Sequence, residues 1–231
     1  MSTILEISKL SKSYGRKKAV QDISFSIQQG EIFGLLGPNG SGKTTTLGMI
    51  LGLLKPNNGN VKMFGSEDLD QGKLRVGALI ESTNYYPDLS ATANLKIVCH
   101  IKGISSEVIP NLLKRVGLED EAKSKVKTFS LGMKQRMMVA SALIGDPEFI
   151  ILDEPTNGMD PQGIIFIRNL IKDLSAEGKT VLIASHLLGE MEKVCTHVAI
   201  MQKGKFLNKG TLSELLAEHN SLEEYFLSAT S

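Results

Sequence analysis

The segment GPNGSGKTT, residues 37–45, limits the possible folds of this 231-residue chain more strictly than any other stretch. Its first eight residues match G-x-x-x-x-G-K-[ST] at every specified position. The apolar run EIFGLLG at residues 31–37 predicts a buried strand, and a helix is predicted over residues 42–53. A strand, a glycine-rich loop and a helix in this order predict an α/β fold with a phosphate-binding site at the helix start.

The residue types in this loop suit a chain of phosphates and a magnesium ion. Glycines allow the backbone to curl so that successive N–H groups point at phosphate oxygens. Lys43 is predicted to reach the outer phosphates as a point charge, and the hydroxyl of Thr44 is a hard oxygen ligand for Mg²⁺. The predicted phosphate-binding residues are Gly37, Pro38, Asn39, Gly40, Ser41, Gly42, Lys43, Thr44 and Thr45.

Polar residues also follow two other apolar runs. Asp153 and Glu154 come directly after FIIL, and His186 comes directly after TVLIAS. Open α/β sheets bind ligands at the carboxyl ends of their strands, so these side chains should lie beside the loop. Asp153 is predicted to bind the metal, and Glu154 to act as the general base that polarises an attacking water. His186 is predicted to hydrogen-bond the terminal phosphate, and the alternative is a bystander histidine.

Strands that alternate with helical patterns extend the α/β prediction to the whole chain. Strands are predicted at residues 3–10, 18–28, 31–37, 60–65, 73–80, 148–155 and 179–185, with a hairpin at 197–210. Helices are predicted at 42–53, 131–143, 161–176, 187–194 and in the tail from Thr211. Residues 91–126 have a helical pattern with breaks at Gly103, Pro110 and Gly117. We therefore predict a mostly parallel sheet covered on both faces, with an inserted helical unit.

Composition and charge argue against several classes of protein. The 26 Lys and Arg residues nearly balance the 25 Asp and Glu residues, so no nucleic-acid partner is predicted. The N-terminal segment has no signal-peptide pattern, and no apolar run approaches the ~20 residues that span a bilayer. If the protein works at a membrane, another chain must span it. Cys99 and Cys195 lack metal-ligand spacing and are predicted to be reduced thiols in a cytosolic protein.

The stretch FSLGMKQR, residues 129–136, predicts a second anion-binding helix start. Ser130 occupies a cap position, Gly132 follows it, and Lys134 and Arg136 add positive charge in the first turns. Helix starts of this kind hold anions through their N–H groups and the helix dipole. One domain thus carries two candidate phosphate sites.

Taken together and in this order, these motifs resemble the nucleotide-binding subunit of ABC transporters over nearly the whole chain. The resemblance implies a P-loop NTPase (RecA-like) core, an N-terminal antiparallel β subdomain and an inserted α-helical subdomain. It divides a single domain, residues 1–231, into a β subdomain and P-loop core at about 1–81 and 145–231 and a helical subdomain at about 82–144. It also implies ATP and Mg²⁺ as cofactors, and ATP hydrolysis that drives a separate membrane-spanning permease.

The resemblance further implies that two subunits pair head to tail, so that each ATP lies between the loop of one and the FSLGMKQR helix of the other. Ser130, Gly132, Gln135 and Asp160 are the nucleotide contacts implied for these motifs, and His186 corresponds to the switch histidine. Tyr14 resembles the aromatic that stacks on adenine, and the alternative is a partly exposed tyrosine at a strand end. The partner subunit is a second copy of this chain or a homologue. The implied location is the cytoplasm, peripheral on the inner face of the membrane.

Three residues depart from the family pattern. Leu131 replaces the first of two glycines and Met133 replaces a glutamine, whereas Ser130 and Gly132 remain. Glu81 stands where the family usually has a glutamine, and it is predicted to accept a metal or water contact after an apolar strand.

One branch of the family is indicated by Glu81 together with the stretches NYYP and SLGMKQR. These features resemble the ATPases of bacterial self-protection exporters for lantibiotics and bacitracin-like peptides. The permease is predicted to dock near Glu81 to Leu95, where Tyr85, Tyr86 and Pro87 line a groove or, alternatively, pack under a loop.

Other functions fit the sequence less well. A soluble ABC-type ATPase acting on ribosomes or nucleic acid remains the main alternative, although the net charge of +1 supplies no strong term for binding a phosphate backbone. A P-loop phosphotransferase would need an arginine-rich lid, and residues 82–127 contain a single arginine, Arg115. A module that senses ATP without turnover is disfavoured by Glu154.

Overall fold

The computed structural model describes residues 2–80, 85–217 and 219–230. Its strands are β1 (Thr3–Tyr14), β2 (Lys17–Gln28), β3 (Ile32–Leu36), β4 (Asn58–Met63), β5 (Val76–Leu79), β6 (Phe149–Asp153), β7 (Thr180–Ser185), β8 (His197–Gln202) and β9 (Lys205–Thr211). Its helices are α1 (Lys43–Ile50), α2 (Leu69–Gly72), α3 (Ala91–Lys102), α4 (Ile109–Arg115), α5 (Leu131–Ala142), α6 (Pro161–Ala176), α7 (Leu188–Met191), α8 (Leu212–Leu215) and α9 (Leu222–Thr230). Within these residues, the helices are too short or too polar to cross a bilayer.

The larger sheet has the strand order β5-β6-β7-β3-β8-β9, and all its neighbours run parallel except β8 and β9. Strands β3, β6 and β7 are buried along their whole length, which explains why their sequences are nearly continuous apolar runs. Consecutive residues face opposite sides, so Leu35 packs into one hydrophobic core and Leu36 into the other. The sheet thus separates two cores.

The smaller sheet is antiparallel, in the order β2-β1-β4, and it closes one of these cores together with α1. Helices α3, α4 and α5 lie between β5 and β6 in the chain and pack into the other core. The predicted α/β class, with a mostly parallel sheet, an N-terminal antiparallel sheet and inserted helices, is confirmed. The division at residues 82 and 144 stays a prediction.

Several predicted elements differ in detail from the structure. The strand expected at 73–80 begins only at Val76, because residues Lys73–Arg75 form a 3₁₀ turn. The short helix α2 was not expected at all, and its cap is the Asp68 side chain, which accepts from Asp70 N. Pro110 lies in the first turn of α4, where a missing N–H is tolerated, so it starts a helix rather than breaking one.

Both cysteines are buried, and neither forms a disulfide. Burial raises the pKa of the Cys195 thiol to about 12, so this side chain is a protonated thiol at neutral pH. The expectation of reduced cysteines is consistent with this arrangement.

Candidate functional site

The carboxyl ends of three neighbouring strands bring the predicted site residues together. In the larger sheet β7 lies between β3 and β6, and all three run parallel. The glycine-rich loop therefore follows β3 at the same edge where Asp153 ends β6 and His186 follows β7. The neighbouring polar residue Ser185, the last residue of β7, is a site residue that the sequence reasoning missed. The strand-end argument that selected His186 applies equally to Ser185.

Two loop positions accept glycine alone. Gly37 has φ 146°, and a Cβ there would lie 2.2 Å from the carbonyl oxygen of Met201. Gly42 has φ 113°, and a Cβ there would lie 2.4 Å from the carbonyl oxygen of Ala19. The loop backbone is thus packed against its neighbours in a conformation that other residues rarely adopt.

Lys43 lies at the centre of this loop and is only 5% exposed. Its Nζ donates to the carbonyl oxygen of Gly37 at 2.8 Å and to that of Pro38 at 3.3 Å. The same Nζ is 3.6 Å from Oε1 of Glu154. The ammonium group is therefore held between the loop and the predicted base, where a bound phosphate would meet it.

A hydroxyl and a carboxylate beside the loop offer hard oxygen atoms to a cation. Thr44 Oγ1 donates to Asp153 Oδ2 at 2.8 Å, and Asp153 is buried. Among the described residues, no group of three or more Asp, Glu, His or Cys side chains is placed to hold a metal ion, either at this edge or elsewhere. A protein site with two oxygen ligands suits Mg²⁺, which keeps several waters and shares phosphate oxygens. Ser41 Oγ is also buried, with no hydrogen-bond partner in the part of the chain that the structure describes.

Glu154 contacts polar groups at the end of β7 and on α5. Its Oε2 is 2.9 Å from Nδ1 of His186 and accepts from Ser185 Oγ at 3.3 Å. Its backbone has φ 48°, which is uncommon for a residue other than glycine. The backbone carbonyl accepts from Nε2 of Gln135 at 3.1 Å. Glu154, predicted as the base, and His186, predicted to hydrogen-bond the terminal phosphate, are thus in direct contact.

A cleft of about 220 Å³ opens over the loop. Its lining residues are Tyr14, Lys17, Ala19, Asn39, Gly40, Gly42, Lys43, Thr44, Thr45 and Glu154. Tyr14 ends β1 and is 48% exposed, with the Nζ of Lys12 5.5 Å from the centre of its ring. Lys17 and Ala19 belong to no phosphate motif, so sequence reasoning missed them. The cleft joins the predicted adenine-stacking residue to the predicted phosphate loop and base.

The four nucleotide contacts implied for the later motifs do not line this cleft, and neither do Gly37, Pro38 and Ser41 of the loop. Ser130 is exposed and caps α5, where its Oγ accepts from Met133 N at 3.2 Å. Gly132 has open surroundings, because a Cβ there would meet nothing nearer than Met159 Cγ at 3.9 Å. Asp160 is exposed and caps α6, and Gln135 is buried. Glu81 lies outside the described residues, so its predicted role at the metal stays a prediction.

Known proteins are similar to this chain in sequence and fold. A family described as "ABC transporter" matches residues 20–157. The bacitracin transport ATP-binding protein BcrA of Bacillus licheniformis is 43% identical over 233 residues, which cover 99% of this chain and 76% of that protein. The lantibiotic transport ATP-binding protein SrtF of Streptococcus pyogenes is 38% identical over 223 residues, which cover 96% of each.

A solved structure of an ABC transporter subunit has the same fold as this chain. The ATP-binding subunit of an ABC transporter superposes with a TM-score of 0.88 at 29% identity, covering 99% of this chain and 100% of the other. The predicted resemblance to the bacitracin and lantibiotic branch is confirmed by the two transport proteins above. With the phosphate loop, the acid pair and the histidine assembled at one sheet edge, the chain belongs to the ABC transporter family as an ATP-binding subunit that hydrolyses ATP.

Proposed function

We propose that this chain powers the export of an antimicrobial peptide or a similar compound through a separate membrane-spanning permease, from the cytoplasmic face of the membrane. The contacts of Glu154 with Lys43 and His186 carry the ATP-hydrolysing part of this proposal, because they place a base beside the phosphate-binding lysine. The names of BcrA and SrtF support export of peptide antibiotics as the transport task.

Within one chain, each group has a distinct task in ATP hydrolysis. Tyr14 stacks on the adenine ring, and the loop N–H groups and Lys43 hold the phosphates. Thr44 and Asp153 would hold Mg²⁺, which neutralises phosphate charge when it is bound. Glu154 takes a proton from the attacking water, and His186 holds the Glu154 carboxylate through the 2.9 Å contact.

Two chains are needed for a closed site. The cleft is smaller than the ~300–1,000 Å³ of typical ligand sites, which suits a half-site that a second surface completes. The exposed start of α5, with Ser130 and Gly132, does not face the cleft of its own chain and is free to face another nucleotide. We infer that two copies pair head to tail, because one chain carries both halves of the site.

The head-to-tail arrangement predicts that two inactive variants restore activity when mixed. Gly132→Asp places a carboxylate at the α5 start, where the open surroundings accept a side chain, and it repels the partner's phosphates. Lys43→Ala removes the phosphate-binding lysine. Each variant alone should lack ATPase activity, whereas a mixed dimer keeps one site with both halves intact. With random pairing, an equal mixture should recover about a quarter of the wild-type rate.

The measurement is phosphate release at saturating ATP, with each variant alone as the baseline. A mixture that stays as inactive as its components would contradict the head-to-tail site, since same-chain sites cannot complement one another. Wild-type ATPase activity in the Gly132→Asp variant alone would show that the start of α5 does not meet a nucleotide.

A groove near the predicted docking segment suits a permease helix. About 470 Å³ of mainly apolar space lies beside the end of α1, β5 and α3, where Leu53 is 68% exposed. Tyr85, Tyr86 and Pro87 do not line this groove, but Tyr86 lies next to α3 and is 59% exposed. Asn94 fixes its backbone by accepting from Tyr86 N at 2.8 Å and donating to Tyr86 O at 3.1 Å. The exposed ring on a fixed backbone is available to a partner.

Tyr86→Asp is therefore expected to abolish co-purification with the proposed membrane-spanning permease. A charge in an apolar contact is costly to desolvate, and the backbone contacts with Asn94 need no side chain at residue 86. The melting temperature should stay close to the wild-type value. Leu227→Asp, at a leucine 65% exposed on α9, is the matched control and should still co-purify. Equal recovery of permease with both variants would place the dock elsewhere.

A further inference from the structure

Gln135 has a contact that a nucleotide ligand does not explain. It lies on α5, five residues after the Ser130 cap, and is only 7% exposed. Its Nε2 donates to the backbone carbonyl of Glu154 at 3.1 Å. The side chain thus points into its own chain, away from the exposed helix start. A buried amide is retained at little cost only when it is hydrogen-bonded, and this bond supplies such a partner.

The backbone that Gln135 binds is in an unfavourable conformation. Glu154 has φ 48°, and a residue with a side chain is held in this region only by its surroundings. From the sheet side, Glu154 N donates to the carbonyl of Ala184 at 2.9 Å. Its own carbonyl accepts from Asn157 N at 3.1 Å and from Gln135 Nε2. The contact from Gln135 therefore fixes the peptide after the predicted base from the helix side.

The direction of this peptide determines where the Glu154 carboxylate points. The carboxylate must keep its contacts with His186 and Ser185 while it faces the space beside Lys43. Displacement of the Glu154–Pro155 peptide would shift the Cα of Glu154 and carry the carboxylate away from these groups. General bases act over hydrogen-bond distances, so a displacement of about 1 Å is enough to impair proton transfer.

We propose that Gln135 is a positioning residue for ATP hydrolysis, which holds the Glu154 carbonyl and thereby aims the Glu154 carboxylate at the attacking water. The inference rests on the proposed role of Glu154 as the base. It replaces the sequence-based expectation that Gln135 contacts a nucleotide. Because α5 carries both Ser130 and Gln135, the helix that meets the second nucleotide also sets the base of its own chain.

Gln135→Met tests this role, since methionine fills a similar volume but has no N–H to donate. We expect kcat for ATP hydrolysis to fall about tenfold, as for a misplaced catalytic group. KM for ATP and the Kd of a fluorescent ATP analogue should change less than about twofold, because Gln135 does not line the cleft and Tyr14, the loop and Lys43 are unchanged. A rise in Kd with normal kcat would instead support a nucleotide contact. A lower melting temperature with normal kcat would support a purely structural role, and both results would overturn the proposal.

The matched control is Gln21→Met, the same substitution at a glutamine of β2. Gln21 also donates to a backbone carbonyl, that of Lys203 at 2.8 Å, but it neither touches Glu154 nor lines the cleft. This variant should keep the wild-type kcat. If Gln135→Met does not fold, Gln135→Asn serves instead, because its amide ends one methylene short of the Glu154 carbonyl. A wild-type kcat in Gln135→Asn would overturn the proposal.

A double-mutant cycle separates this inference from the proposed function. In a Glu154→Gln background the base is already absent, so adding Gln135→Met should lower the single-turnover rate no further. A further tenfold loss in that background would show that Gln135 acts otherwise than through Glu154, and the inference would fail while the base assignment stands. If Glu154→Gln itself hydrolyses ATP at the wild-type rate, the proposed base is wrong, and this is visible before Gln135 is changed.

Discussion

The Glu154→Gln variant is expected to bind ATP normally but to lose about 10³-fold in kcat, within the range that general-base catalysis contributes. Glutamine has the same shape, so its side-chain oxygen still accepts from Ser185 and lies beside His186. What disappears is the group that takes the proton from water. The negative charge 3.6 Å from Lys43 also disappears, which favours retention of the phosphates.

The trapped nucleotide should also hold two chains together. With hydrolysis blocked, ATP persists as a ligand of the closed dimer, and the population shifts towards that state. Size-exclusion chromatography with and without ATP measures the shift, and single-turnover phosphate release measures the rate. Glu148→Gln is the control, because Glu148 pairs with Arg75 at the surface and does not line the cleft. A Glu154→Gln variant that stays monomeric with ATP and hydrolyses it at the wild-type rate contradicts both the base and the sandwich.

The sheet edge could be predicted from the sequence because its signals are local. The loop motif is contiguous. Strands β3, β6 and β7 are apolar runs, and they lead directly to the loop, to Asp153 and to His186. Helix α6 begins and ends at the predicted residues, Pro161 and Ala176. Its start has a clear signal, since Asp160 caps it and proline suits the first turn.

The inward direction of Gln135 could not be predicted in the same way. Glutamine is mostly a surface residue. Helix α5 has no clear division into apolar and polar faces, since Lys134 and Arg136, the two neighbours of Gln135, are both partly buried. The partner of Gln135 is a carbonyl on another element, 19 residues later in the chain. Only the packing of α5 against the end of β6 brings the two together, and no sequence spacing encodes that contact.

The second large effect is expected for Lys43→Ala, which should weaken ATP binding by roughly 10- to 100-fold, the range for losing a hydrogen bond to a charged group. The ammonium group is buried, so solvent does not screen its attraction for the phosphates. Its loss also removes a donor from the carbonyl oxygens of Gly37 and Pro38, of which that of Pro38 still accepts from Ser41 N at 3.1 Å. The loop then loses both a ligand for phosphate and a contact that sets its shape.

Equilibrium titration with a fluorescent ATP analogue measures this effect, and Lys17→Ala is the matched control. Lys17 lines the same cleft but is exposed, so water and salt screen its charge, and its removal should change Kd by less than about threefold. Loss of affinity in both variants to the same degree would mean that net charge, rather than the placement of Lys43, binds the nucleotide. Unchanged Kd and unchanged turnover in Lys43→Ala would exclude Lys43 from phosphate binding. Lys17 would then be the remaining ammonium group in the described part of this cleft.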